Sequence, residues 1–202
     1  MGRREDLIKL WNLLQPSAST IRKIVVLYGL GGIGKTQLAI RFARLHQNNF
    51  SAILWLNGKN QETLMHSLAE FLPKLPGINV IVNLKTEKDI EQAARRVLQW
   101  LATPGNSKWL LIFDNIHKYS AAEIPDSDTY DIMKFFPSTD HGSIIITTRV
   151  TRLSELGLSY PVETLQSDEA VTLLINSTGQ TVRNANNYYS GRATIFDILR
   201  LD

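Results

Sequence analysis

Ile24-Val25-Val26-Leu27-Tyr28 runs into Gly29-Leu30-Gly31-Gly32-Ile33-Gly34-Lys35-Thr36, after which Leu38, Ala39, Phe42 and Leu45 recur at helical spacing as far as Gln47. A short β-branched run without polar alternation suits a strand buried on both faces of a parallel sheet, and the apolar period that follows predicts a helix against that sheet. The segment from Gly29 to Thr36 satisfies GxxxxGK[ST]. Its fixed positions co-occur by chance in roughly one 200-residue chain in a hundred, so between a buried strand and an amphipathic helix it reads as a phosphate-binding loop. In such a loop successive backbone N–H groups face an anion and the helix N-terminus adds its dipole. Lys35 is then placed to reach the β and γ phosphates, and the Thr36 hydroxyl a magnesium ion.

Strands and helices alternate outward from this point. NNF (48–50) interrupts the helix before a second strand, Ala52 to Leu56, which completes a βαβ unit. Asn60 can cap a helix carrying Leu64, Met65, Leu68, Ala69 and Leu72, which Pro73 and Pro76 stop; 73–84 reads as a loop. Thr86 with Asp89 makes a capping box, and Ile90, Ala93, Ala94, Val97, Leu98 and Leu101 form one apolar face ending near Pro104. WLLIF (109–113) and SIIITT (143–148) are a third and fourth buried strand, and Tyr160 to Leu165 a weaker fifth. Residues 115–141 are a polar connection with a helical stretch at Ile132 to Phe136. The predicted fold is a three-layer α/β/α sandwich on a five-stranded parallel sheet. The nucleotide-binding domain spans 1–165, and 166–202 hold the start of a helical segment followed by a loose polar tail.

Two further strand ends carry chemistry. Asp114 follows four apolar residues, at the C-terminal edge of the sheet where ligands bind, and can hold magnesium directly or through water. The next residue is Asn115, an amide that can orient water but cannot accept its proton. Thr147, Thr148 and Arg149 end another buried strand, and Arg149 can reach the terminal phosphate.

Composition sets the limits. With 202 residues, 44% of them hydrophobic and 20% charged, the chain is globular rather than disordered. It has no cysteine and four scattered histidines, which excludes disulfides and thiolate zinc sites and leaves any metal oxygen-ligated. His46, His66, His117 and His141 read as structural, and Trp11, Trp55, Trp100 and Trp109 as core. A charge of +3 without a dense basic tract demands no nucleic acid, and no apolar run approaches a membrane span. The chain reads as soluble and cytoplasmic.

Taken in order, GRREDL (2–7), VVLYGLGGIGKTQLA (25–39), LLIFDN (110–115) and GSIIITTR (142–149) resemble the NB-ARC domain, the nucleotide switch of the STAND class of signalling NTPases. AILWLNGKN (52–60) is similar to fungal NLR-type proteins, and PVETLQSDEAVTLL (161–174) to the passage into the family's first helical ARC subdomain. The resemblance implies an ADP/ATP site with Mg2+. Gly2 and Arg3 would lie near the adenine. Gly29, Leu30, Gly31, Gly32, Ile33, Gly34, Lys35, Thr36 and Gln37 would hold the phosphates, Thr36 and Asp114 the metal, and Thr148 and Arg149 the γ-phosphate, with Lys35, Asp114, Asn115 and Arg149 as the groups for any hydrolysis. It also implies that the Arg149 strand lies between the other two. The family's GxP and MHD motifs are not met, so the chain reads as an isolated or truncated switch core.

The implied function is a nucleotide-dependent switch in innate immune or cell-death type signalling. Its partners would be flanking effector and repeat-sensor domains, with a homo-oligomer in the ATP state. Hydrolysis is expected to be slow or absent, since Asn115 stands where many relatives carry a second acid. A small-molecule kinase or other metabolic P-loop ATPase is the alternative; it would need an acceptor site and a lid.

Overall fold

Apolar residues alternate between two faces along every central strand, and each face has its own helical cover. In this computed structural model, which describes residues 3–16, 21–76, 84–120 and 129–164, the strands are β1 (Lys23–Tyr28), β2 (Ala52–Asn57), β3 (Trp109–Ile116), β4 (Ser143–Thr148) and β5 (Leu158–Pro161). They pair in parallel in the order β2-β3-β4-β1-β5. β4 therefore lies between β1 and β3, the arrangement the resemblance implies.

Helices α1 (Arg4–Leu14) and α2 (Lys35–Leu45) cover one face, where Leu7, Leu10, Leu38 and Phe42 pack on Val25, Leu27, Ile112 and Ile145. Helices α3 (Gln61–Ala69) and α4 (Glu87–Leu101) cover the other, with Leu64, Leu68, Val97 and Leu101 against Leu54, Leu111, Phe113 and Ile146. Each of these side chains is buried because a parallel sheet with two covers offers no wet face. Capping boxes start α3 at Asn60 with Thr63 and α4 at Thr86 with Asp89.

Three differences from the sequence reading have local causes. The fifth strand runs from Leu158 to Pro161 and not from Tyr160: Leu158 stands opposite Val25 and Pro161 opposite Tyr28. Proline brings no N–H to a ladder and is tolerated at this edge, where the next N–H, that of Val162, still donates to Tyr28 O at 2.9 Å. The stretch from Ile132 is a 3-10 turn to Phe135, with Asp131 accepting from the Met133 N–H. Of the four tryptophans only Trp109 is fully buried, its Nε1 donating to Leu101 O at 2.8 Å. Trp11 is half-buried and stacks on His46, with ring centroids 4.1 Å apart. The 166–202 segment lies outside the described residues. Among those described, no helix is long and apolar enough to cross a membrane.

Candidate phosphate-binding site

The loop after β1 begins α2 with Gly34, whose φ of 95° is the left-handed region that glycine enters without strain. From α2's first turn the Lys35 ammonium folds back and donates to Gly29 O and Leu30 O, both at 2.7 Å. Lys35 is a buried cation. Burial lowers its pKa, the nearby Arg149 lowers it further, and Asp114 opposes both. Among the described residues no ion pair engages Lys35 or Arg149.

Beside it, Thr36 Oγ1 donates to Asp114 Oδ1 at 2.8 Å, which joins the helix start to the end of β3. Thr147 Oγ1, from β4, donates to the same oxygen at 2.6 Å and accepts the Asn115 N–H at 2.9 Å. Two hydroxyls on Oδ1 fix the carboxylate's orientation.

The placement depends on a β-bulge. β3 and β4 are in register at Phe113 with Ile146, yet the next pair is Ile116 with Thr148, so β3 spends one residue more than β4 over this step. Asn115 absorbs it with φ 66°, a left-handed conformation that asparagine tolerates better than most side chains. The strand therefore turns at the residue where the sequence has its amide.

Gly32, Gly34, Lys35, Thr36, Gln37, Asn115, His117, Thr147 and Arg149 line one cleft of about 230 Å³ above these strand ends. The Arg149 guanidinium lies so close over the loop that a Cβ added at Gly31 would sit 2.7 Å from its Cζ. A side chain at 31 would displace the Arg149 guanidinium from this position.

The other predicted positions fall as follows. Ile33 packs against the α1/α2 core and its carbonyl accepts from Arg3 at 2.7 Å. Leu30 is exposed, so its backbone is what it offers to the site. Arg3 also donates to Glu163 O at 2.8 Å and pairs with Asp6 at 3.2 Å. Gly2 lies outside the described residues.

Thr148 is not brought to the cleft: it is fully buried, donates to Ile116 O at 2.6 Å and accepts the Val150 N–H at 2.9 Å. Strand alternation explains this, because Thr147 follows Ile145 on the α2 face and Thr148 follows Ile146 on the α4 face. The hydroxyl that reaches the site is that of Thr147, to which the sequence reading gives no role. His117, which reads from sequence as structural, is among the residues that line the cleft. The signal that finds both is parity along the strand and position just past its end.

The donor set fits a magnesium–nucleotide ligand: a glycine loop, two cations, a hydroxyl and a carboxylate meet at the C-terminal edge of a parallel sheet. This fold and cleft define a P-loop NTPase. Solved structures of similar fold are Cdc6p from Pyrobaculum aerophilum, with a TM-score of 0.56 and 12% identity over 86% of this chain and 48% of that one, and the ORC2 protein of Aeropyrum pernix, with a TM-score of 0.51 and 17% identity over 86% of this chain and 51% of that one. The chain belongs to the NB-ARC domain family, whose profile matches residues 3–183. A nucleotide-binding leucine-rich repeat (NLR)-like protein of Hyaloscypha variabilis is 26% identical over 160 residues, or 74% of this chain. This chain spans 15% of that relative's length.

Proposed function

We propose that this module binds ADP and ATP with Mg2+ as alternative states of a switch in an NLR-like signalling protein, and that it turns ATP over slowly or not at all. The observation that carries the reading is the meeting of Thr36 and Thr147 on Asp114 Oδ1 beside the glycine loop. Thr36 and Asp114 would hold the metal, which supplies charge to the phosphate oxygens. The loop backbone and Lys35 would hold the phosphates common to both nucleotides, and Gln37 lines the same cleft. Arg149 would read the terminal phosphate. A ligand shifts a conformational equilibrium only through contacts that differ between the states, and a cation reached by the γ-phosphate alone is such a contact.

Slow turnover is supported by Asn115, which can align a water but takes no proton from it. Adenine as the base is supported by family membership; the ORC2 neighbour of the same fold is an ADPNP-ADP complex. The partners would be flanking domains, with assembly into a homo-oligomer in the ATP state, and the compartment the cytoplasm. We further assign 1–165 to the nucleotide-binding domain and 166–202 to the beginning of a helical subdomain.

The test is a thermal-shift series. ADP or ATP with Mg2+ at 100 times Kd should stabilise the chain by about 2.7 kcal/mol, while GTP at the same concentration does much less. Equal shifts from ATP and GTP would overturn the adenine assignment. Sustained turnover near the median enzyme rate of about 10 per second would overturn the switch reading.

A further inference from the structure

His117 is the cleft residue to which the proposed switch gives no work. It lines the cleft with Lys35, Thr36 and Arg149, and its Nδ1 is shut from solvent with no hydrogen-bond partner. A buried polar nitrogen left unpaired is costly, and native structures keep few of them without a use. Strand register decides its neighbour. Ile116 stands opposite Thr148, so the next residues out, His117 from β3 and Arg149 from β4, leave adjacent strands side by side at the same edge of the sheet. Lys35, at the start of α2, would lie beneath the phosphates that ADP and ATP share.

We propose that His117 is a second residue that discriminates a nucleoside triphosphate from a diphosphate, its ring donating a hydrogen bond to the terminal phosphate beside Arg149. This rests on the nucleotide reading and deepens it. The chemistry agrees with the charge of the site. Burial and then the Arg149 guanidinium hold the His117 imidazole below its usual pKa; the Ile116 backbone raises it, Lys35 lowers it and Asp114 raises it. The ring is therefore neutral near pH 7, with one N–H to donate and no charge added to a cleft that already carries two cations. An anionic oxygen entering the cleft would accept from Nε2, since Nδ1 is shut from solvent.

The experiment is calorimetric titration of the full chain with Mg-ADP and with a non-hydrolysable Mg-ATP analogue. His117→Phe keeps a ring and removes both nitrogens; His117→Asn keeps a short N–H donor. His117→Phe should weaken the ATP analogue about tenfold, the size of one lost hydrogen bond to a charged group, and leave ADP within about twofold. His117→Asn should recover most of the loss. Equal weakening of both ligands would place the ring at the shared phosphates and refute the proposal. So would a His117→Phe effect that vanishes in an Arg149→Ala background, since the ring would then act by holding the arginine. If the unaltered chain binds neither ligand, the nucleotide reading itself fails. If it binds both and both His117 variants keep its preference, only the role of His117 fails.

Discussion

Thr147 and Thr148 differ by one position and point to opposite faces of the sheet, which makes them a matched pair of perturbations. Thr147→Val keeps shape and strand propensity but deletes a 2.6 Å bond to the Asp114 carboxylate and the acceptor for the Asn115 N–H. A hydrogen bond to a charged group contributes about 1.5–3 kcal/mol. Asn115 is exposed and water can replace its lost acceptor, so the stability loss should be about 2 kcal/mol. Thr148→Val deletes two bonds inside the core, to Ile116 O and from Val150 N. It should cost a similar amount, about 2 kcal/mol, because the buried Ile116 carbonyl has no water to turn to. The two variants should then match in urea denaturation and part in ligand binding. With Asp114 held only by Thr36, Thr147→Val should weaken Mg-ADP about tenfold and leave ADP in EDTA nearly unchanged, whereas Thr148→Val should alter neither. Calorimetric titration of both ligands into both variants reads the difference. If Thr148→Val weakens Mg-ADP as much as Thr147→Val, the carboxylate's orientation is not what the Thr147 hydroxyl controls.

Two more substitutions separate cradle from sensor. Lys35→Ala should weaken ADP and an ATP analogue together, while Arg149→Ala should weaken the analogue by about ten- to a hundredfold more than ADP, the range for a charge-assisted bond; equal losses from Arg149→Ala would remove its sensing role. Stability should fall on acidification. Burial holds both His46 and His117 below the usual imidazole pKa, so the unfolded chain takes up protons first as pH drops through about 6.5. This stabilisation is present above that value and is lost below it. The urea midpoint should therefore be higher at about pH 7.5 than at about pH 5.5, and His46→Phe, which preserves a ring against Trp11, should narrow the gap; an unchanged gap in that variant would assign the effect elsewhere.

The parts of this fold that are legible in the sequence are those fixed by near neighbours. The glycine loop, the apolar strands and the caps at Asn60 and Thr86 depend on residues within a few positions of one another, and local chemistry specifies them. Asp114 is legible for the same reason, as a carboxylate ending an apolar run. What stays hidden depends on pairing between distant strands. The bulge at Asn115 exists only in the register of β3 against β4, and that register decides that Thr147 faces α2 and that His117 comes out beside Arg149. Arg3 can be matched to a motif, but its contacts with Ile33 and Glu163 join segments far apart in the chain. The fifth strand starts earlier than its sequence suggests, because an edge strand with three exposed residues out of four carries almost no apolar signal.

Arg3 holds the Ile33 carbonyl with the same Nη2 that holds the Glu163 carbonyl. Tyr160 reinforces the junction, donating to Asp6 at 2.6 Å while Asp6 pairs with Arg3. One guanidinium thus pins the start of α1, the chain just beyond β5 and the glycine loop at a single point. Whatever tilts the loop at Ile33 pulls on residues 3 and 163 together, as a knot transmits tension to both cords tied in it. Mechanical strain applied to either strand of backbone would arrive at the phosphate loop without first crossing the sheet.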